Sequence, residues 1–116
     1  MDSSKHLYYH IILTAKYRRP LLRGRETLLY RVATVLVARL GRRAELVSIA
    51  VGADGGHLHM LVALPPTVAV ADFIRDYKST TSRLLLPGRA LWGRGYWVAT
   101  VGAKSLDAAT RYVQNQ

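Results

Sequence analysis

The 116-residue sequence has no cysteine, which excludes disulfides and thiolate metal centres. It also has no long apolar run. Charges or prolines interrupt every such stretch, so no segment of about 20 residues is expected to span a membrane. The N-terminus lacks a basic segment followed by an apolar core and a small-residue cleavage site, so no secretory leader is expected. Acidic residues are scarce, with 7 Asp and Glu against 17 Lys and Arg, a net charge of +10. The first fifty residues hold ten basic and three acidic side chains, a net of +7. These features predict a cytoplasmic protein that meets a polyanion, against the alternative of a merely solvated basic surface.

What remains is 50% hydrophobic, enough to argue against disorder. One domain spanning residues 1–116 is expected, able to bury roughly two-thirds of its unfolded-chain surface. LYYHIILTA, residues 7–15, is rich in β-branched and aromatic residues and reads as a buried strand. From Glu26 to Leu40 the apolar residues Leu28, Leu29, Val32, Val35, Leu36, Ala38 and Leu40 recur at helical spacing, and Gly41 follows as a stop. ELVSIAVG, residues 45–52, and HLHMLVAL, residues 57–64, read as strands joined by a hairpin-like ADGG turn.

Pro65 and Pro66 end the second of these strands. Residues 68–86 form a helical pattern with Val70, Phe73, Ile74, Tyr77 and Leu84 on one face. GYWVATVG, residues 95–102, predicts a fourth strand, and Ser105 a natural N-cap for a last helix. The order β-α-β-β-α-β-α is an α+β, ferredoxin-like (RRM-like) antiparallel sheet with an additional C-terminal helix.

His57 and His59 stand two apart on a strand and therefore project to one side, while Leu58, Met60 and Val62 face the core. Two imidazoles so placed can share a divalent ion if a third ligand comes from elsewhere, although most such pairs are ordinary strand residues. Tyr112 and Gln116 are four apart on the last predicted helix and share a face. A glutamine carbonyl is a hard ligand suited to Mg²⁺ or Mn²⁺. A tyrosine beside such an ion could attack a phosphodiester, the alternative being a half-buried aromatic on an amphipathic helix.

Five stretches in order, YYHIILTAKYRRPLL, DGGHLHMLVALPP, FIRDYKSTTSRLLL, LWGRGYWVATVG and RYVQNQ, resemble the Y1 tyrosine transposases of the IS200/IS605 insertion-sequence family. These belong to the HUH, or His-hydrophobic-His, nucleases, and the resemblance covers nearly the whole chain. It implies that Tyr112 is the nucleophile, forming a 5′-phosphotyrosine link with single-stranded DNA. It implies that His57, His59 and Gln116 hold a divalent metal, and that DNA hairpins mark the sites of cleavage. It further implies a homodimer whose catalytic helix can serve the partner's histidine pair. Two departures stand out. The family often has an acidic residue directly before the first histidine, where this sequence has Gly56, with Asp54 three positions before His57. That change is expected to alter the turn more than the metal site. Relatives also usually continue past the last helix, so a chain ending at Gln116 is expected to test how well that helix docks.

Lys16, Tyr17, Arg18 and Arg19 interleave charge with an aromatic ring, which suits a single strand. Lys78, Ser79 and Arg83 are spaced to share a helix surface and clamp phosphates, with a solvated face as the alternative. Arg89, Trp92, Arg94, Tyr96 and Trp97 form a second basic-aromatic cluster. Trp92, between a Pro-Gly break and glycines, is the expected stacking residue there, and Trp97 the expected core residue. Arg42 and Arg43 have only a weak claim to a contact. Competing readings are a domesticated relative acting on repeated hairpins and a non-catalytic nucleic-acid-binding module. A two-histidine phosphoesterase fits poorly, because the sequence has a single HxH.

Overall fold

The alternating apolar residues near the N-terminus form strand β1 (Leu7–Thr14), and the periodic segment after the basic turn forms helix α1 (Glu26–Ala38). A computed structural model describes residues 7–116. Residues 1–6, where a leader is not expected, lie outside the described residues. The chain continues through β2 (Glu45–Val51), β3 (His57–Leu64), α2 (Val70–Leu85), β4 (Trp97–Val101) and α3 (Leu106–Gln114). The four strands form one antiparallel sheet in the order β2-β3-β1-β4, the split βαβ arrangement expected of a ferredoxin-like fold. Among the described residues no helix is long and apolar enough to cross a membrane.

Element boundaries depart from the expected ones for local reasons. β4 starts at Trp97 because Gly95 adopts a left-handed φ of +73°, which an extended strand cannot contain. Ser105 occupies the N-cap position of α3, but its side chain makes no capping hydrogen bond; a short 3₁₀ turn (Ala103–Ser105) precedes the helix instead. Leu84, expected on the buried face of α2, is 56% exposed.

The two faces of the sheet carry different loads. Ile11 and Leu13 of β1 and Leu58, Met60, Val62 and Leu64 of β3 pack against Leu29, Val32 and Ala33 of α1 and Phe73, Ile74 and Tyr77 of α2. The opposite face of β3 carries His57, His59, Leu61 and Ala63, with α3 packed over β2 and β3 and Val113 fully buried there. β3 is thus covered on both sides, which fits its burial at every position after His57. Pairing of β2 with β3 slips between Leu46 and Ser48, which oppose Val62 and Leu61 respectively. The bulge places Leu46, Ile49 and Val51 against the core despite the odd spacing between the first two.

Two buried hydroxyls tie α2 to its surroundings. The Tyr77 hydroxyl donates to the Leu29 carbonyl of α1 at 2.9 Å, and burial pushes its pKa far above the ordinary tyrosine value. The Thr81 hydroxyl, fully buried, donates to the Tyr77 carbonyl at 2.7 Å and accepts the Trp92 indole N–H at 2.8 Å. Thr81→Val keeps the shape but leaves that indole N–H unpaired, and is expected to cost about 1–3 kcal/mol. Chemical denaturation checks this; a wild-type midpoint would show that the bond does not hold Trp92 in place.

Candidate active site

The period-two geometry of β3 directs His57 and His59 to one face, as their spacing predicts. Immediately before them, residues 52–56 form a tight turn in which the Gly55 N–H donates to the Gly52 carbonyl and the Gly56 N–H to the Asp54 carboxylate, at 2.9 and 2.8 Å. The second carboxylate oxygen lies 3.0 Å from His57 Nδ1. The Gly56 N–H holds the Asp54 carboxyl below its usual pKa, and the charges of His57 and Arg18 add to the effect.

Gly56 is required by close approach. A Cβ there would stand 2.7 Å from the Arg18 carbonyl, while the Gly56 carbonyl accepts the Ala15 N–H at 2.9 Å. Gly56→Ala is expected to destabilise the fold by about 1–3 kcal/mol, since the obstacle is backbone. Thermal melting tests this, and an unchanged melting temperature would show that the turn yields freely.

His59 is 7% exposed, and its Nδ1 lies 3.4 Å from Nε2 of His10 on β1. Burial lowers the pKa of both rings; for His59 the neighbouring His10 and His57 push the same way. Both imidazoles are therefore neutral at neutral pH, the form that can ligate a metal. The Tyr112 ring of α3 meets His10 and His59 edge-on, at centroid distances of 5.5 and 5.9 Å. Trp97 closes the far side of His10 at 5.2 Å.

Gln116 reaches the site in a different way from the expected helical pairing with Tyr112. Helix α3 ends at Gln114, and Gln116 folds back so that its Nε2 donates to the Tyr112 carbonyl at 2.8 Å. Gln116 then lines an open cleft with His57, His59, Asp54, Arg18 and Trp97. Gln114 turns the other way, and its side-chain amide donates to the Ser48 hydroxyl of β2, docking α3 on the sheet.

Two imidazoles and an amide oxygen are donors of the kind that can ligate a divalent ion. Among the described residues no three His, Asp or Glu side chains converge as a metal cluster. His57 and His59 each have Nδ1 engaged, which leaves Nε2 of each ring to meet a ligand, and Gln116, whose side-chain oxygen is a hard donor, lines the same cleft.

The basic turn after β1 lies next to this cleft. Lys16–Arg18 forms a short 3₁₀ turn in which Tyr17 and Arg18 adopt left-handed φ values of +58° and +54°, uncommon for residues with a side chain. Tyr17 is 76% exposed, with Lys16 Nζ and Arg19 Cζ each 5.5 Å from its ring centre. Arg18 reaches Asp54 at 3.7 Å. Arg89 lines a hollow with Lys16, Tyr17 and Arg19.

The second expected DNA surface is built differently from its sequence reading. Lys78 donates to the carbonyls of Gly93 and Gly95, both at 3.0 Å, so it braces the loop before β4, and burial lowers its pKa. Arg83 donates to the Ser79 hydroxyl at 2.5 Å. Arg94 and Tyr96 share a shallow groove with Lys78 and Ser79. The burial of the two tryptophans is the reverse of the expected one. Trp92 is 7% exposed because its indole bonds Thr81 and its ring packs near Tyr77, whereas Trp97 is 50% exposed. Trp92 does not offer an open stacking face. Arg42 and Arg43 are exposed in the segment after α1, away from the residues that line the cleft.

Sequence reasoning missed His10. The only available signal was that His10 shares the even-numbered face of β1 with Ile12 and Thr14, and the antiparallel register pairs those two with His59 and His57.

Comparison with known proteins bears on the family and the fold. The profile of the family described as "Transposase IS200 like" matches residues 3–116. The transposase for insertion sequence element IS200 of Salmonella typhimurium is 28% identical over 118 residues, covering 93% of this chain and 75% of that protein. The ISDra2 transposase TnpA of Deinococcus radiodurans is 27% identical over 121 residues, covering 95% of this chain and 84% of that one. A crystal structure from Deinococcus radiodurans assigned as a transposase superposes with a TM-score of 0.71 at 26% identity, over 96% of this chain and 91% of that one. A REP-associated tyrosine transposase bound to a REP hairpin superposes with a TM-score of 0.74 at 16% identity, over 94% of this chain and 65% of that one, a likeness of fold.

Proposed function

The chain belongs to the IS200-like transposase family, and on that premise we propose that it cleaves and rejoins single-stranded DNA at hairpin-marked insertion-sequence ends. The observation that carries this reading is Tyr112 lying against His59, beside a cleft lined by His57, His59, Gln116 and Arg18. In the proposed reaction the Tyr112 hydroxyl oxygen attacks the scissile phosphorus. A Tyr112–phosphorus bond forms, the bond from phosphorus to the 3′ oxygen breaks, and a 3′-hydroxyl leaves. Attack by a 3′-hydroxyl on the 5′-phosphotyrosine reverses the step, so rejoining needs no ATP.

His57, His59 and Gln116 are the residues that would hold Mg²⁺ or Mn²⁺, which when bound supplies polarisation of the phosphodiester. Lys16, Arg18 and Arg19 take phosphates while Tyr17 stacks a base. The hairpin in the structural neighbour's complex supports a hairpin-bearing substrate. The reading includes a cytoplasmic homodimer. Within one chain Tyr112 already lies against His59, so sharing of the site between subunits is not needed to bring these two together.

The test is incubation of the protein with single-stranded hairpin DNA from the regions flanking its own coding sequence, with Mg²⁺ or Mn²⁺. A covalent adduct on a denaturing gel is expected. Hairpin binding with no adduct would favour a non-catalytic binding module. Replacing Lys16, Arg18 and Arg19 together by alanine is expected to weaken binding and reduce the slope of log K against log salt by about 2, at roughly 0.7 per lost phosphate contact on a single strand. An unchanged slope would remove the turn from the interface.

A further inference from the structure

The two histidines of β3 are each held at the same ring nitrogen, but by different chemistry. His57 Nδ1 faces the Asp54 carboxylate at 3.0 Å, and His59 Nδ1 faces His10 Nε2 at a looser 3.4 Å. Neither Asp54 nor His10 is a neighbour of its partner along a strand. Asp54 is delivered by the 52–56 turn, and His10 by the adjacent strand β1. Asp54 is held in turn by the Gly56 N–H and approached by Arg18. His10 is fixed by the rings of Trp97 and Tyr112.

We propose that Asp54 and His10 are positioning residues that set both β3 imidazoles in the Nδ1–H tautomer, so that both Nε2 atoms are presented to the cleft. An ionised carboxylate accepts and cannot donate, so His57 has to carry its proton on Nδ1. The His59–His10 contact can run either way, and the proposal assigns its proton to His59 Nδ1, with His10 protonated on Nδ1 and accepting at Nε2. Asp54 brings its carboxylate to the His57 imidazole from three residues away, across the 52–56 turn. This inference rests on the proposed metal-binding role of the pair. Groups of this kind typically change metal affinity about 10–100-fold.

Asp54→Asn is the decisive variant. Its side-chain oxygen still accepts the Gly56 N–H, so the turn is retained, but it presents an NH₂ to His57 Nδ1. The tautomer of His57 is then expected to invert to Nε2–H. Long-range ¹H–¹⁵N NMR of the metal-free chain reads the tautomers directly, and Mn²⁺ titration followed by electron paramagnetic resonance reads affinity.

The expected result is Nδ1–H on both rings in the wild type, inversion at His57 in Asp54→Asn, and a loss of Mn²⁺ affinity of about 10–100-fold. His10→Leu is expected to remove the bias at His59 alone, with a smaller loss, as its contact is longer. Should His10→Leu fail to fold, the wild-type tautomer of His59 decides the His10 half and Asp54→Asn the other. Nε2–H rings in the wild type, or an Asp54→Asn protein with unaltered tautomer and affinity, would overturn the proposal. Correct tautomers in a wild type that binds no Mn²⁺ would uphold the positioning and refute the metal reading, so the two failures are distinguishable.

Discussion

Tyr112→Phe is expected to abolish the covalent protein–DNA adduct while leaving hairpin binding and folding in place. The substitution removes one oxygen and keeps the ring that packs edge-on against His10 and His59. Tyr112 is 52% exposed, so the change in stability is expected within about 0.5 kcal/mol. The chemical effect is of another order, because phenylalanine has no nucleophile and the reaction has no first step. A denaturing gel with end-labelled hairpin DNA, paired with a melting curve, separates the two effects. An adduct that persists in the phenylalanine variant would assign the nucleophile to another residue.

His57→Ala is expected to reduce cleavage to the level seen with a chelator. His57 is the cleaner of the two histidines to remove, since its side chain is 21% exposed and no ring packs on it among the described residues, whereas His59 supports Tyr112. On the proposed metal-binding role, the variant would keep a single imidazole and an amide, too weak a set to hold a divalent ion at working concentrations. Cleavage rates measured across a Mg²⁺ or Mn²⁺ titration are the test. A wild-type metal response in the variant would take His57 out of the metal site, and intact cleavage in chelator would remove the metal from the reaction.

Much of this arrangement was legible before the coordinates because strand geometry is local. The alternation in HLHMLVAL sets His57 and His59 against Leu58, Met60 and Val62 without reference to any other element, and the structure agrees. His10 was not legible for the complementary reason. Its proximity to His59 depends on the register between β1 and β3, which turn and packing fix jointly and which no short window of sequence contains.

The tryptophans show a different kind of failure. Gly93 and the Pro87–Gly88 break made Trp92 look like part of an open loop. Yet Ala15 bridges to Trp92 and the Gly93 N–H bonds the Thr14 carbonyl, so this loop is drawn in against the end of β1. Trp97 has the opposite history. It opens an edge strand, where β1 is the one neighbouring strand among the described residues. Gln116 was placed by helical periodicity and arrives beside the cleft by a backbone-directed hydrogen bond instead. Its location was foreseeable, the route to it was not.

The slip in β2 has a consequence for how this chain can vary in length. Leu46 and Ile49 both face the core, three positions apart, because Val47 is the extra residue of the bulge. Val47 therefore acts as a phase offset in an otherwise two-beat pattern. Removing Val47 itself would leave Leu46 opposite Val62 and Ser48 opposite Leu61, with Ser48 still facing Gln114 of α3. The strand can thus lose this one residue without turning a side chain over, a slack in chain length placed under the helix that carries Tyr112.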